Sequence, residues 1–270
     1  PPETTMSTIL DTIVARKREE LAERREQCSP AMLKDLLAEA GEPRGFARNL
    51  AAVAAARPAV IAEVKRGSPS LGCIRPDLDA PRQVQRYERG GAAALSVLTD
   101  QDFFFGSDAD FRAVRQTAIL PMLSKDFMIE AYQIYESRAL GADCILLIMA
   151  ILSDSQAAEL ADLAHELGMD VLAETHNAAE IERAVEHVDF DLIGINNRNL
   201  KTFATSEKVT LELAELVPDR DRLVAESGLQ SPAAVRRLWG RRIRRFLVGE
   251  AFVRAEDPEA AVRSFVEIEA

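Results

Sequence analysis

The sequence predicts a (β/α)8 barrel, and three observations carry that expectation. Short β-rich runs alternate with amphipathic segments along most of the 270 residues. Several runs are apolar from end to end, such as Cys144-Ile145-Leu146-Leu147-Ile148, as in parallel strands buried on both faces. Charged and amide residues gather at the C-terminal ends of these runs, where this fold carries its chemistry. An open doubly wound sheet is the competing architecture, weakened because no Gly-x-Gly-x-x-Gly follows a strand. Barrels of this length are routinely one domain, so residues 1–270 are read as one.

The elements follow in order. From Thr8 to Gln27 the chain is highly charged, with Ile9, Leu10, Ile13, Val14 and Leu21 spaced as one helical face. Ser29-Pro30 opens a second short helix that closes near Gly41. Residues 1–45 are therefore expected to form a helical extension over one barrel mouth, ahead of the barrel at 46–270. The strand candidates are Ala59–Lys65, Ala93–Leu98, Ile119–Lys125 and Asp143–Met149. Asp170–Glu174, Asp191–Asn196, Arg222–Glu226 and Arg244–Val248 complete the set. Between them lie helices with recognisable starts: Ser153-Asp154, Asn177 before Ala178–Glu186, Ser231-Pro232 and Asp257-Pro258.

Composition narrows the function. The formal charge of −11 and pI near 5.0 argue against nonspecific nucleic-acid or membrane-surface binding, while leaving room for a local cationic pocket. No apolar run reaches the ~20 residues that a membrane span needs. The start, Pro1-Pro2-Glu3-Thr4-Thr5, has neither a basic nor an apolar signal segment and no initiator Met, so processing is expected. Cys28, Cys73 and Cys144 are far apart and odd in number, which fits reduced thiols in a cytoplasmic protein. A monomer or weak homo-oligomer is expected.

The most informative stretch is Ala62-Glu63-Val64-Lys65-Arg66-Gly67-Ser68-Pro69-Ser70. Residues i and i+2 of a strand share a side, so Glu63 and Lys65 emerge together from one strand end. Taken alone they form an ordinary ion pair. The other strand ends change that reading: Lys125-Asp126, Glu174, Asn196-Asn197-Arg198, Glu226-Ser227-Gly228 and Gly249-Glu250. The last two carry turns that expose backbone N–H groups, at the loops where this fold usually binds phosphate. No His/Cys/Asp cluster has metal-ligand spacing. His176 follows Glu174 by two residues, near enough to touch the site, whereas His165 and His187 are expected in solvent.

These motifs resemble the indole-3-glycerol-phosphate synthase family of tryptophan biosynthesis. The resemblance rests on Ile61–Ser70 (IAEVKRGSPS), Leu95–Asp100 (LSVLTD), Lys125-Asp126-Phe127 (KDF), Gly194–Leu200 (GINNRNL), Glu226-Ser227-Gly228 (ESG) and Leu247–Glu250 (LVGE). It runs from about Ser7 to Val266 and includes the extension. It implies ring-closing decarboxylation and dehydration of 1-(2-carboxyphenylamino)-1-deoxyribulose 5-phosphate, with no metal or organic cofactor. Lys125 is implied as general acid and Glu174 as the second acid–base residue. Glu63 and Asn196 would orient hydroxyls and the departing carboxylate, and Lys65 and Arg198 would supply positive charge. Ser68, Gly228, Gly249 and the backbone of Glu250 would hold phosphate, in loops that include Glu226 and Ser227. Phe104, Phe127 and Leu146 would wall the aromatic ring, with Ser96 a candidate polar contact. Neighbouring cations or desolvation are expected to lower the Lys125 pKa. Two departures stand out: Ser124, expected to point away from Lys125, and Glu250, whose carboxylate must turn outward. An isomerase of a phosphorylated aminoketose on the same fold, or a non-catalytic barrel, are the alternatives.

Overall fold

A computed structural model describes residues 8–200 and 202–268. The opening segment Pro1–Thr5 lies outside them. Eight parallel strands close into a barrel: β1 (Ala59–Val64), β2 (Ala94–Leu98), β3 (Met122–Lys125), β4 (Cys144–Ile148), β5 (Asp170–Thr175), β6 (Leu192–Asn196), β7 (Leu223–Glu226) and β8 (Arg245–Val248). Each strand pairs with the next in sequence, and β8 closes on β1 through Ala59↔Arg245 to Ala62↔Val248. All eight expected strands are present. The largest boundary difference is at β3, which starts at Met122 rather than Ile119. Pro121 lacks an N–H for the ladder, and Ile119 is 79% exposed.

Three helices precede β1: α1 (Ile9–Gln27), α2 (Pro30–Glu39) and α3 (Phe46–Ala54). The first two are the expected extension. Thr8 and Asp11 form a capping box on α1, and Ser29 caps α2 ahead of Pro30. The buried spine of α1 is Ile13, Lys17 and Leu21, so its inward face carries a charge in its middle. Leu21 and Leu33 pack on Tyr132, which ties the extension to the barrel's outer helices. The third helix went unmarked in the sequence, because it begins at Gly45 with no side-chain cap. Its Phe46, Leu50 and Ala54 join the barrel's interior cluster with Ala59 and Ala93, plugging the end where the strands begin.

The outer layer continues with α4 (Ala80–Arg89), α5 (Asp108–Thr117), α6 (Ala131–Leu140), α7 (Asp154–Glu166), α8 (Ala178–His187), α9 (Lys208–Leu213), α10 (Pro232–Trp239), α11 (Glu250–Val253) and α12 (Pro258–Val266). Ser153, Asn177 and Asp257 cap α7, α8 and α12 as expected; Ser231 occupies the N-cap of α10 but makes no capping bond. Among the described residues, no helix is long and apolar enough to cross a membrane.

Candidate active site

Strand parity decides which residues reach the cleft. Val60, Ala62, Ile145, Leu147, Val171 and Ala173 pack outward among the helices. Their neighbours Ile61, Leu123, Leu146, Leu172, Leu192 and Val224 fill the barrel interior. Stepping by two along that inner file ends on Glu63, Lys125, Glu174, Asn196 and Glu226. The apolar interior thus terminates in a ring of ionisable and amide groups at the strands' C-terminal ends.

The ring is tightly connected. The Lys125 Nζ stands 3.6 Å from Glu174 Oε2 and 4.0 Å from Glu63 Oε2. Lys65 Nζ is 3.0 Å from Glu63 Oε1, and the Ser96 hydroxyl donates to Glu63 Oε2 at 3.3 Å. Ser124 points the other way, its hydroxyl bonded to that of Ser137 on α6. Burial alone would push the Glu63 and Glu174 carboxyls up, but the ammonium groups outweigh it. Lys65 and Lys125 hold Glu63 below the usual carboxylate range; Lys125, His176 and Asn196 hold Glu174 well below it.

Two expectations are corrected here. Burial would depress the Lys125 ammonium, but Glu174, Glu63 and Glu226 together raise it above its ordinary value. A lowered Lys125 pKa needed neighbouring cations or dominant desolvation; the facing carboxylates override both. Glu226, expected with Ser227 and Gly228 in a phosphate loop, is instead buried, 1% exposed. Its carboxylate is buried under the cleft, and a Cβ on Gly194 would lie 1.8 Å from its Oε1, so the missing side chain of Gly194 is what makes room for it. Burial, and then the charge of Glu174, push Glu226 up.

One flank of the cleft is aromatic. Phe104 and Phe127 contact with centroids 5.8 Å apart and planes inclined by 41°, beside Leu146 and Ile13 of α1. The opposite flank is glycine-rich. Ser227 and Gly228 both adopt left-handed backbone, with φ of 63° and 70°, turning the chain sharply after β7. Arg198 crosses from the β6 loop and donates to the Ser70 hydroxyl at 3.4 Å, and Ser70 lies 3.3 Å from the Ser68 hydroxyl. Gly249 follows β8, where a Cβ would lie 2.6 Å from Glu63 Oε1. Glu250 is held by its neighbours: its carboxylate accepts from Arg254 Nε at 3.0 Å and from Gln230 at 3.3 Å.

His176 is the contact that the strand-end pattern only hinted at. Its ring bridges two carboxylates, Nε2 at 3.1 Å from Glu174 and Nδ1 at 3.1 Å from Glu180, and they raise its pKa to about 10 against the opposing effect of burial. The spacing of two from Glu174 was the signal. Asn197 stood in the marked strand end without an assigned role: its side chain accepts from Thr210 and donates to the Ser227 carbonyl, pinning the β6 and β7 loops together. Among the described residues, no group of three or more His, Cys, Asp or Glu could hold a metal ion.

Fold and site together define an acid–base enzyme of the (β/α)8 class. The indole-3-glycerol phosphate synthase family model matches residues 10–265. The chain belongs to that family, whose members are carboxy-lyases of tryptophan biosynthesis acting on a phosphorylated substrate. Solved structures agree on the fold. KGPDC from Streptococcus mutans has 12% identity and a TM-score of 0.60, over 77% of this chain and 95% of that one. Tryptophan synthase subunit alpha from Legionella pneumophila has 14% identity and a TM-score of 0.57, over 82% and 96%.

Proposed function

We propose that the strand-end cluster carries out the family's ring closure with Lys125 as the proton donor. The single observation behind this reading is the Lys125 ammonium standing between Glu174 and Glu63 at the cleft's centre. A raised pKa keeps it protonated at neutral pH. It delivers its proton to the ribulose carbonyl oxygen as the carboxylate-bearing ring carbon attacks the carbonyl carbon. Loss of carbon dioxide restores the aromatic ring. Dehydration then needs a proton for the departing hydroxyl and a base for the C–H beside the nitrogen. Glu174, held ionised, is that base, and Lys65 is the second ammonium within reach of the cleft.

Glu63 and Asn196 orient the substrate's hydroxyls and its departing carboxylate. Arg198, Ser68 and the backbone N–H groups around Gly228, Gly249 and Glu250 hold the phosphate, beside Ser227. Phe104, Phe127 and Leu146 enclose the aryl ring. Glu226, beneath the floor, sets the local field rather than touching phosphate. The same reading takes the chain as one cytoplasmic domain, a monomer or weak homo-oligomer without a nucleic-acid partner.

Indole fluorescence appearing on addition of 1-(2-carboxyphenylamino)-1-deoxyribulose 5-phosphate tests the reaction, and Lys125→Ala tests the assignment. The variant should keep its melting temperature and lose about 10²–10⁴-fold in kcat, the usual worth of a positioned acid. A folded variant with more than about a third of wild-type kcat removes Lys125 from the proton transfer.

A further inference from the structure

We propose that Lys17 of the N-terminal extension is a positioning residue for the aryl half of the cleft, an inference that rests on the function read above. Lys17 is an ammonium on the buried spine of α1, 1% exposed, where the helical pattern calls for an apolar side chain. Its Nζ makes three close ion pairs: Glu20 at 2.7 Å, Asp126 at 2.9 Å and Asp100 at 3.0 Å. Glu20 lies on the same helix. The other two lie at the ends of β3 and β2, and each already holds a loop.

Asp100 accepts from the backbone N–H of Phe103 at 2.9 Å and of Phe104 at 3.1 Å. Asp126 accepts from the N–H of Phe127 at 2.7 Å and from the Thr99 hydroxyl at 2.9 Å. One buried cation therefore fixes the two carboxylates that orient the two aromatic walls. Phe104 and Phe127, one from each of these loops, meet with ring centroids 5.8 Å apart. Asp126 also follows Lys125 directly in the chain, so the tether reaches the proposed acid through one peptide bond. A stability role alone does not require this placement. An apolar residue at position 17 would continue the spine of Ile13 and Leu21 without the cost of burying an ion.

The consequence is selective. Without the tether, ligands that use the aromatic walls lose affinity, whereas the phosphate site at β7 and β8 is untouched. Lys17→Met should weaken binding of indole-3-glycerol phosphate by roughly tenfold, the worth of one well-placed aromatic contact. Competitive inhibition by inorganic phosphate should stay within about twofold of wild type, because no phosphate-loop residue touches Lys17. Lys17→Arg, which keeps a cation, should recover part of the loss. Titration calorimetry with both ligands on the full-length protein reads the ratio.

Should Lys17→Met fail to fold, Asp100→Asn gives the same reading. It leaves the Lys17–Asp126 pair intact and loosens only the Phe104 loop, so it should shift the ratio in the same direction by a smaller factor. Unchanged affinity for both ligands in either folded variant overturns the proposal, as does an equal loss for both. The wild-type arm separates this result from failure of the functional reading: a wild type that neither binds indole-3-glycerol phosphate nor forms it overturns the reaction, whatever the variants do.

Discussion

At the ends of β1, β3 and β5 charged side chains form a chain of ion pairs of 4.0 Å or less, from Lys65 through Glu63 and Lys125 to Glu174, in which the ammonium groups hold the carboxylates ionised. The ends of β7 and β8 offer Ser227-Gly228 and Gly249-Glu250, with no lysine or arginine of their own. Proton transfer needs groups that change charge, and mutual ion pairing tunes them. Holding an anion needs charge that does not change, which backbone N–H dipoles supply. Ionisable side chains thus build one half of the cleft, while in the other small residues leave backbone N–H groups open beside Arg198. The two halves meet where Gly249 admits the carboxylate of Glu63.

That meeting point gives the largest expected effect. Gly249 has φ of −121°, so its backbone does not itself demand glycine. Its constraint is contact: any side chain starts 2.6 Å from Glu63 Oε1. Gly249→Val should lower kcat/KM by roughly 10²-fold, the scale of a misplaced catalytic group. Gly249→Ala should already lower kcat, by displacing Glu63. Steady-state kinetics resolve this, and an alanine variant with raised KM at unchanged kcat would confine Gly249 to the anion half.

The extension serves the charged and aromatic half but not the glycine-rich one. Ile9, Leu10 and Ile13 line the cleft, and Leu21 and Leu33 are buried against the barrel. Deleting residues 1–41 should raise KM and lower the melting temperature by more than roughly 5 °C, given the apolar side chains uncovered. Unchanged values in differential scanning calorimetry and steady-state kinetics would reduce the extension to an appended tail.

His176 sharpens the comparison through pH. Its pKa rises from 6.5 to about 10 in the folded protein. A raised folded pKa contributes stability that is fully present below about 6.5 and is lost as pH rises through about 10. His176→Gln should therefore melt below wild type at pH 6, and the two curves should converge as pH approaches 10. Activity should fall by less than about tenfold, because Lys125 still pairs with Glu174. A constant offset in melting temperature across that range would show that His176 packs without carrying linked charge.

The sequence was most legible where the information is local. Alternation put Glu63 and Lys65 on one side and turned Ser124 away from Lys125, and the ends of the strand runs picked out Lys125, Glu174 and Asn196. What it concealed depends on barrel closure. The sign of the Lys125 shift is a sum over Glu174, Glu63 and Glu226, which come from three other strands. Glu226 was read with the turn of its neighbours Ser227 and Gly228; its own side chain follows the inner parity and goes below the cleft. Lys17 read as one more charge on a charged helix, since Asp100 and Asp126 lie more than 80 residues away in sequence. The helix α3 lacked capping residues, although Phe46, Leu50 and Ala54 repeat every four residues.

The smallest expected effect tests whether the Glu250 side chain takes any part in the proposed anion half. Glu250 begins α11, directly after Gly249, where a carboxylate facing the phosphate would be repulsive. The structure occupies that carboxylate with Arg254 at 3.0 Å and Gln230 at 3.3 Å. Glu250→Ser deletes one negative charge near the phosphate and leaves the N–H in place. KM should then stay level or fall by up to about threefold, the scale of one partly solvated charge. The change should shrink with added salt, since screening weakens a solvated interaction first. A severalfold rise in KM at low ionic strength would mean that the Glu250 side chain supports the phosphate loop through Arg254, and that the backbone alone does not hold the anion there.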